Sequence, residues 1–226
     1  MARAKADSTS AGNPGGSQAK AQILEAAMEM AEERGWKGVR LVDVADRLGM
    51  PPDEIVLHYR DLNSVADAWF LRALQAMLTA KPVGFAAQPA AHRLEACLLA
   101  WFDALAVHHR VTVEMLRGKL HASHPHHWVP MVFDLSRTIH WLREAAMLPA
   151  TYGTRRANME EVGLTWLFLA TLAVWCNDPT DGQERTRRFL RRRLSQADRW
   201  MTRIWGRGTP PGEADNNGAE RRAGAH

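Results

Sequence analysis

Hydrophobic residues recur at helical spacing along most of this chain, and strict strand-type alternation is absent. Ile23, Ala27, Met30 and Ala31 share one face of a helix predicted over about 18–33, which Ser17 can cap and Gly35 can end. Leu41, Val44, Ala45 and Leu48 form the inward side of a short second helix stopped by Gly49. Pro51 and Pro52 open a third, running to about Tyr59 with Ile55 and Tyr59 inward, since proline fits the first helical turn. A fourth helix is predicted over 63–79, followed by a linker between Pro82 and Pro89. Longer helices are predicted over 90–108, 111–122, 126–146, 156–177 and 183–205, with Pro125, Pro149 and Pro179 near their boundaries. The pattern predicts an all-α fold of nine helices between tails at 1–17 and 207–226, which lack apolar periodicity.

Chemistry narrows the class. Two cysteines, Cys97 and Cys176, point away from a disulfide framework and towards a reducing compartment. The first residues hold no apolar signal-like core, so a cytoplasmic protein is expected. The longest uncharged run, 162–177, is 16 residues, shorter than a membrane span, and reads as a buried core helix. No glycine-rich phosphate loop, Gly-x-Ser-x-Gly elbow, HExxH or paired CxxC occurs, so neither an enzyme nor a bound cofactor is expected.

The stretch Val39 to Tyr59, VRLVDVADRLGMPPDEIVLHY, has helix-turn-helix spacing: two short helices joined through a glycine. With the preceding EERGWKG, it resembles the N-terminal domain of TetR-type transcriptional regulators. Ala26-Ala27, Gly35, Val44-Ala45, Leu48-Gly49-Met50, Ile55 and His58-Tyr59 carry the likeness. The resemblance implies an N-terminal DNA-reading domain over 18–82 and a C-terminal ligand-binding and dimerisation domain over 83–206. It implies a homodimer partnered by DNA and by an apolar small-molecule effector. Its DNA-facing set maps onto Arg40, Leu41, Pro52, Asp53, Val56, Leu57, His58 and Leu62. The chain departs from the family's pattern at several of these. Arg40 or Leu41 stands where a small hydroxyl residue usually starts the second helix. Val56 stands in place of a tyrosine and Leu62 in place of a lysine, while His58 is kept.

Net charge is +4, but its distribution matters more. Residues 18–82 hold eight basic and ten acidic side chains, net −2, with Asp53 and Glu54 in the first turn of the reading helix. An acid there repels phosphate yet can accept from cytosine N4. The helix-turn-helix therefore either reads DNA or survives as a packing element. Residues 183–207 hold nine arginines and two acids, net +7.

Leu190, Leu194, Ala197, Met201 and Ile204 make an apolar stripe there, widened by Phe189, Trp200 and Trp205, with Arg188 and Arg192 on another face. Such a basic amphipathic helix suits either dimer packing or peripheral contact with an anionic membrane. The segment 178–186, with Phe189-Leu190 and Arg193-Leu194, is similar to the final-helix start of TetR-fold lipid-binding proteins of ubiquinone biosynthesis. That likeness implies an alternative, a lipid-binding accessory protein that does not bind DNA.

Seven of the nine tryptophans follow residue 100. Trp101, Met115, Trp128, Met131, Trp141 and Trp166 are candidates for an apolar ligand pocket, against ordinary core packing. The histidine run His121, His124, His126 and His127 is interrupted by Pro125 and lacks nearby Cys or acid, so it reads as a solvated loop, with no metal expected.

Overall fold

A computed structural model describes residues 14–120, 128–149 and 153–205, with the side chains of 14, 119, 120, 128–134, 198 and 200–205 excepted. Among these the chain forms nine α-helices and no strand: α1 (Pro14–Arg34), α2 (Leu41–Leu48), α3 (Pro52–His58), α4 (Leu62–Thr79), α5 (Ala90–Ala106), α6 (His109–Leu120), α7 (Trp128–Ala145), α8 (Arg155–Trp175) and α9 (Glu184–Trp205). The predicted nine-helix all-α class is the observed one. The largest boundary shift is at α1, which starts at Pro14, so Ser17 lies inside the helix and does not cap it; α5 and α8 each end two residues earlier than expected, and α6 starts two earlier.

Local chemistry sets several ends. Gly49 closes α2 in the left-handed region, at φ 63°. Asp61 caps α4: its side chain accepts from the Ser64 amide at 2.8 Å, and Ser64 Oγ accepts from the Asp61 amide at 3.2 Å. The hydrogen bond from the Ser64 backbone chiefly holds the Asp61 carboxyl below its usual range. Thr154 caps α8 by accepting from the Ala157 amide at 3.1 Å.

Buried side chains from α1 to α9 form one continuous cluster. Ile23, Ala27, Met30 and Ala31 of α1 are at most 1% exposed, as their spacing predicts. They meet Val44 and Ala45 of α2, Ile55 of α3 and the inward face of α4. The central helix is α5, which packs on α4, α6, α7 and α9. Its Trp101 ring lies 5.0 Å from those of Phe102 and Phe168, and Phe102 lies 5.7 Å from Trp175. Arg93, also on α5, is buried and donates through Nε to the Ala146 carbonyl at 2.7 Å, holding the end of α7.

The last two helices carry different faces. Helix α8 buries Ala157, Leu164, Phe168, Thr171 and Trp175. Met159, Val162, Trp166 and Leu169 lie on its opposite, exposed side. The uncharged run 162–177 is therefore not wholly buried in this chain, contrary to the sequence expectation. Helix α9 turns Leu190 and Leu194 into the core beside α5 and α8. The α8–α9 turn is built on Asp178, which accepts from the Thr180 amide and hydroxyl at 3.0 and 2.6 Å. It also accepts from the Thr186 amide and hydroxyl, both at 2.7 Å. Burial alone would raise the pKa of this carboxyl, but those four bonds outweigh it and hold the group at about 2.

Candidate functional site

Helices α2 and α3 meet through Gly49 and an extended Pro51, and pack together on α1. Ile55 and Tyr59 point inward, the Tyr59 hydroxyl donating to the Lys20 carbonyl at 3.2 Å. Burial raises the Tyr59 pKa. With that inward side fixed, α3 turns Pro52, Asp53, Val56 and Leu57 out to solvent. His58 is half-buried at its end, close to the start of α1 at Gly16. Arg40 is exposed at the start of α2. Two members of the expected DNA-facing set behave otherwise: Leu41 and Leu62 are half-buried and pack against the core. Apolar side chains at those positions gain more from burial than from water.

The excess of acid in this region is partly neutralised within the fold. Arg34 pairs with Asp43 at 3.3 Å, Arg47 with Glu33 at 2.6 Å and Arg60 with Asp61 at 3.3 Å, and Arg72 pairs with Glu25. Lys20, Lys37 and Arg40 are exposed and have no ion-pair partner among the described residues. Lys37 and Arg40 precede α2, while Lys20 stands over the Tyr59 ring, just past α3, at 5.9 Å from its centroid. Asp53 is the exposed charged group of α3.

A polar junction that the sequence did not reveal ties this unit to the rest of the chain. The Trp36 amide donates to Glu114 Oε2 of α6 at 2.8 Å. Arg110 pairs with Glu114 at 3.3 Å and with Glu32 at 3.1 Å, and donates to the Glu32 carbonyl. His108 Nδ1 lies 3.3 Å from Glu32 Oε1. Gly35, at φ 79°, leaves room for the Glu114 carboxylate, which a Cβ there would approach to 3.2 Å. Trp36 and Glu114 are 78 positions apart, so no periodic pattern links them.

Of the residues proposed for an apolar pocket, the four with described side chains divide between core and surface. Trp101 and Met115 are buried, and Trp101 is enclosed by Phe70, Phe102 and Phe168. Trp141 is 40% exposed and Trp166 70% exposed, so neither lines an interior space of this chain. The side chains of Trp128 and Met131 lie outside the described residues, as does the histidine run 121–127. A shallow groove of about 510 Å³ runs instead along the outside of α8, lined by Asn158, Glu161, Val162, Thr165, Trp166 and Leu169.

On α9, Leu190 is fully buried, and Phe189 is half-buried beneath Arg193 at 5.2 Å. Arg188 and Arg192 are exposed, and the side chains of Trp200 and Trp205 lie outside the described residues. Arg187 pairs with Asp103 of α5, and Arg191 with Glu95 of α5 at 2.7 Å. Leu190 is therefore a packing residue of the chain itself, unavailable to a partner subunit or to lipid. No helix among the described residues is long and apolar enough to cross a membrane. Burial pushes the Cys97 thiol up to about 11, and also raises that of Cys176, so both are poor nucleophiles.

No protein-family model and no curated protein matches the sequence. Among solved structures, the chain is similar to the TetR family transcriptional regulator PfmR from Thermus thermophilus, at TM-score 0.49 and 18% identity over 76% of this chain and 97% of that one. It is similar to the TetR transcriptional regulator from Nitrosomonas europaea at TM-score 0.71 and 37% identity, over 80% of this chain and 98% of that one. With that identity over nearly the whole of the Nitrosomonas regulator, and with a helix-turn-helix ahead of an all-helical body, the chain belongs to the TetR family of transcriptional regulators.

Proposed function

We propose that this protein is a DNA-binding homodimer whose two reading heads respond to an apolar small molecule. The observation that carries the reading is the outward side of α3, Pro52, Asp53, Val56 and Leu57, held in a helix-turn-helix by a chain 37% identical to a TetR transcriptional regulator. Residues 18–82 meet DNA, and 83–206 bind the effector and the partner subunit. The second apolar face of α8 supports the dimer. A helix apolar on both sides needs cover on both, and a second copy offers the same face in return.

The interior around Trp101, Phe102, Phe168 and Trp175 is apolar but closely packed, so an effector enters it by repacking these rings. An effector that binds one packing of this interior better than another shifts the population between the two. The Glu32, Trp36, Arg110 and Glu114 junction is the polar link that carries such a shift to α1.

Fluorescence anisotropy tests the DNA claim, using fragments from the protein's own genomic neighbourhood at about 100 mM salt, where specific sites are held tightly. The expected result is saturable retention of one fragment, resistant to unrelated competitor. Equal, competitor-sensitive binding of every fragment contradicts it.

A further inference from the structure

The outward side of α3 lacks the side chains that make the commonest specific base contacts. Arginine or lysine reads guanine through O6 and N7, and asparagine or glutamine reads adenine through N6 and N7. None of these stands on this side. Val56 is 62% exposed and Leu57 83% exposed, and Val42 of the adjacent α2 is 42% exposed. One turn before Val56 and Leu57 stands the exposed Asp53, while Glu54 is half-buried.

A major groove offers two features that fit this set. The C5-methyl of thymine takes an aliphatic contact, and the N4 amino group of cytosine donates to a carboxylate. The O6 and N7 acceptors of guanine would repel Asp53. The placement of charge agrees with a groove as occupant. Lys37 and Arg40 are exposed just ahead of α2, and Lys20 stands over Tyr59 just past α3, so cations able to meet phosphate flank the helix-turn-helix in the chain while α3 itself offers base contacts.

We infer that α3 reads its site through thymine methyl groups against Val56 and Leu57 and through a cytosine N4 amino group donating to Asp53. The inference rests on the DNA-binding reading above and narrows it to a base code. It also sets the salt response. Contact of the exposed Lys20, Lys37 and Arg40 with phosphate in each subunit, six contacts per dimer, gives a slope of log affinity on log salt near −5.

The test uses the full-length protein. A site is first selected from a random duplex pool. Its thymines are then replaced by deoxyuridine, which removes the C5-methyl and leaves pairing intact. Wild type is expected to lose about fourfold in affinity per contacted methyl. The Val56→Ala, Leu57→Ala double variant, whose changes are at exposed positions and whose fold is checked by circular dichroism, is expected to bind more weakly and to ignore the uracil change. Asp53→Asn is expected to move the preference at one position from cytosine to adenine.

A selected site that binds equally with uracil overturns the inference while leaving DNA binding intact. So does a double variant that keeps wild-type affinity. Failure to select any duplex overturns the DNA-binding reading and this inference together.

Discussion

Helices α8 and α9 are neighbours of similar length, and they divide their apolar residues in opposite ways. Helix α9 places Leu190 and Leu194 in the core and pairs Arg187 and Arg191 with Asp103 and Glu95 of α5. Helix α8 is apolar on two sides. Leu164, Phe168 and Trp175 face the core, and Met159, Val162, Trp166 and Leu169 face outward with Ala170 and Ala173. The amphipathic helix is thus packed within its own subunit through Leu190 and Leu194, over its described side chains. The helix without amphipathic contrast is the one that still needs a partner. A strong apolar stripe with a charged back marks packing as readily as it marks an interface.

This contrast makes separable predictions. Leu190→Ala, at a fully buried position, is expected to lower unfolding free energy by about 3 kcal/mol in denaturant titration, from lost transfer and a residual cavity. Asp178→Ala, which removes the acceptor for four hydrogen bonds at the start of α9, is expected to lower it by about 2 kcal/mol. The folded carboxyl sits near 2 against an ordinary 3.8, so its contribution is complete above about pH 4 and fades as pH falls towards 2. Wild type and Asp178→Ala should therefore converge in acid titration. Trp166→Ala, measured on dilute, dissociated protein, is expected to change unfolding by less than about 1 kcal/mol, because this side of α8 loses little burial within the monomer. Arg188→Glu with Arg192→Glu is expected to stay within about 0.5 kcal/mol of wild type, since both side chains are exposed.

The same contrast explains what the sequence disclosed. Helix positions were legible because proline, glycine and apolar spacing agree in punctuating them. Thus α2 falls at Leu41–Leu48 as read, and Ile55 and Tyr59 point inward. The outward residues of α3 followed from that inward pair. Helix α8 misled because two opposed apolar faces cancel in a periodicity count and look like complete burial. On α9 the stripe was found, but a stripe does not say whether it covers its own core, a second chain or lipid. The Trp36–Glu114 junction left no trace, because it joins a backbone amide to a carboxylate across the chain. Leu41 and Leu62 were assigned to DNA by resemblance, and both are half-buried against the core.

The claim that α8 carries the subunit interface is tested most directly by sedimentation velocity on wild type and on a Val162→Glu, Trp166→Glu double variant. The account predicts a wild-type species of twice the 25.3 kDa chain mass and a folded variant at the single-chain mass at the same micromolar concentration. A variant that sediments as wild type does, or a wild type already at the single-chain mass, would contradict it.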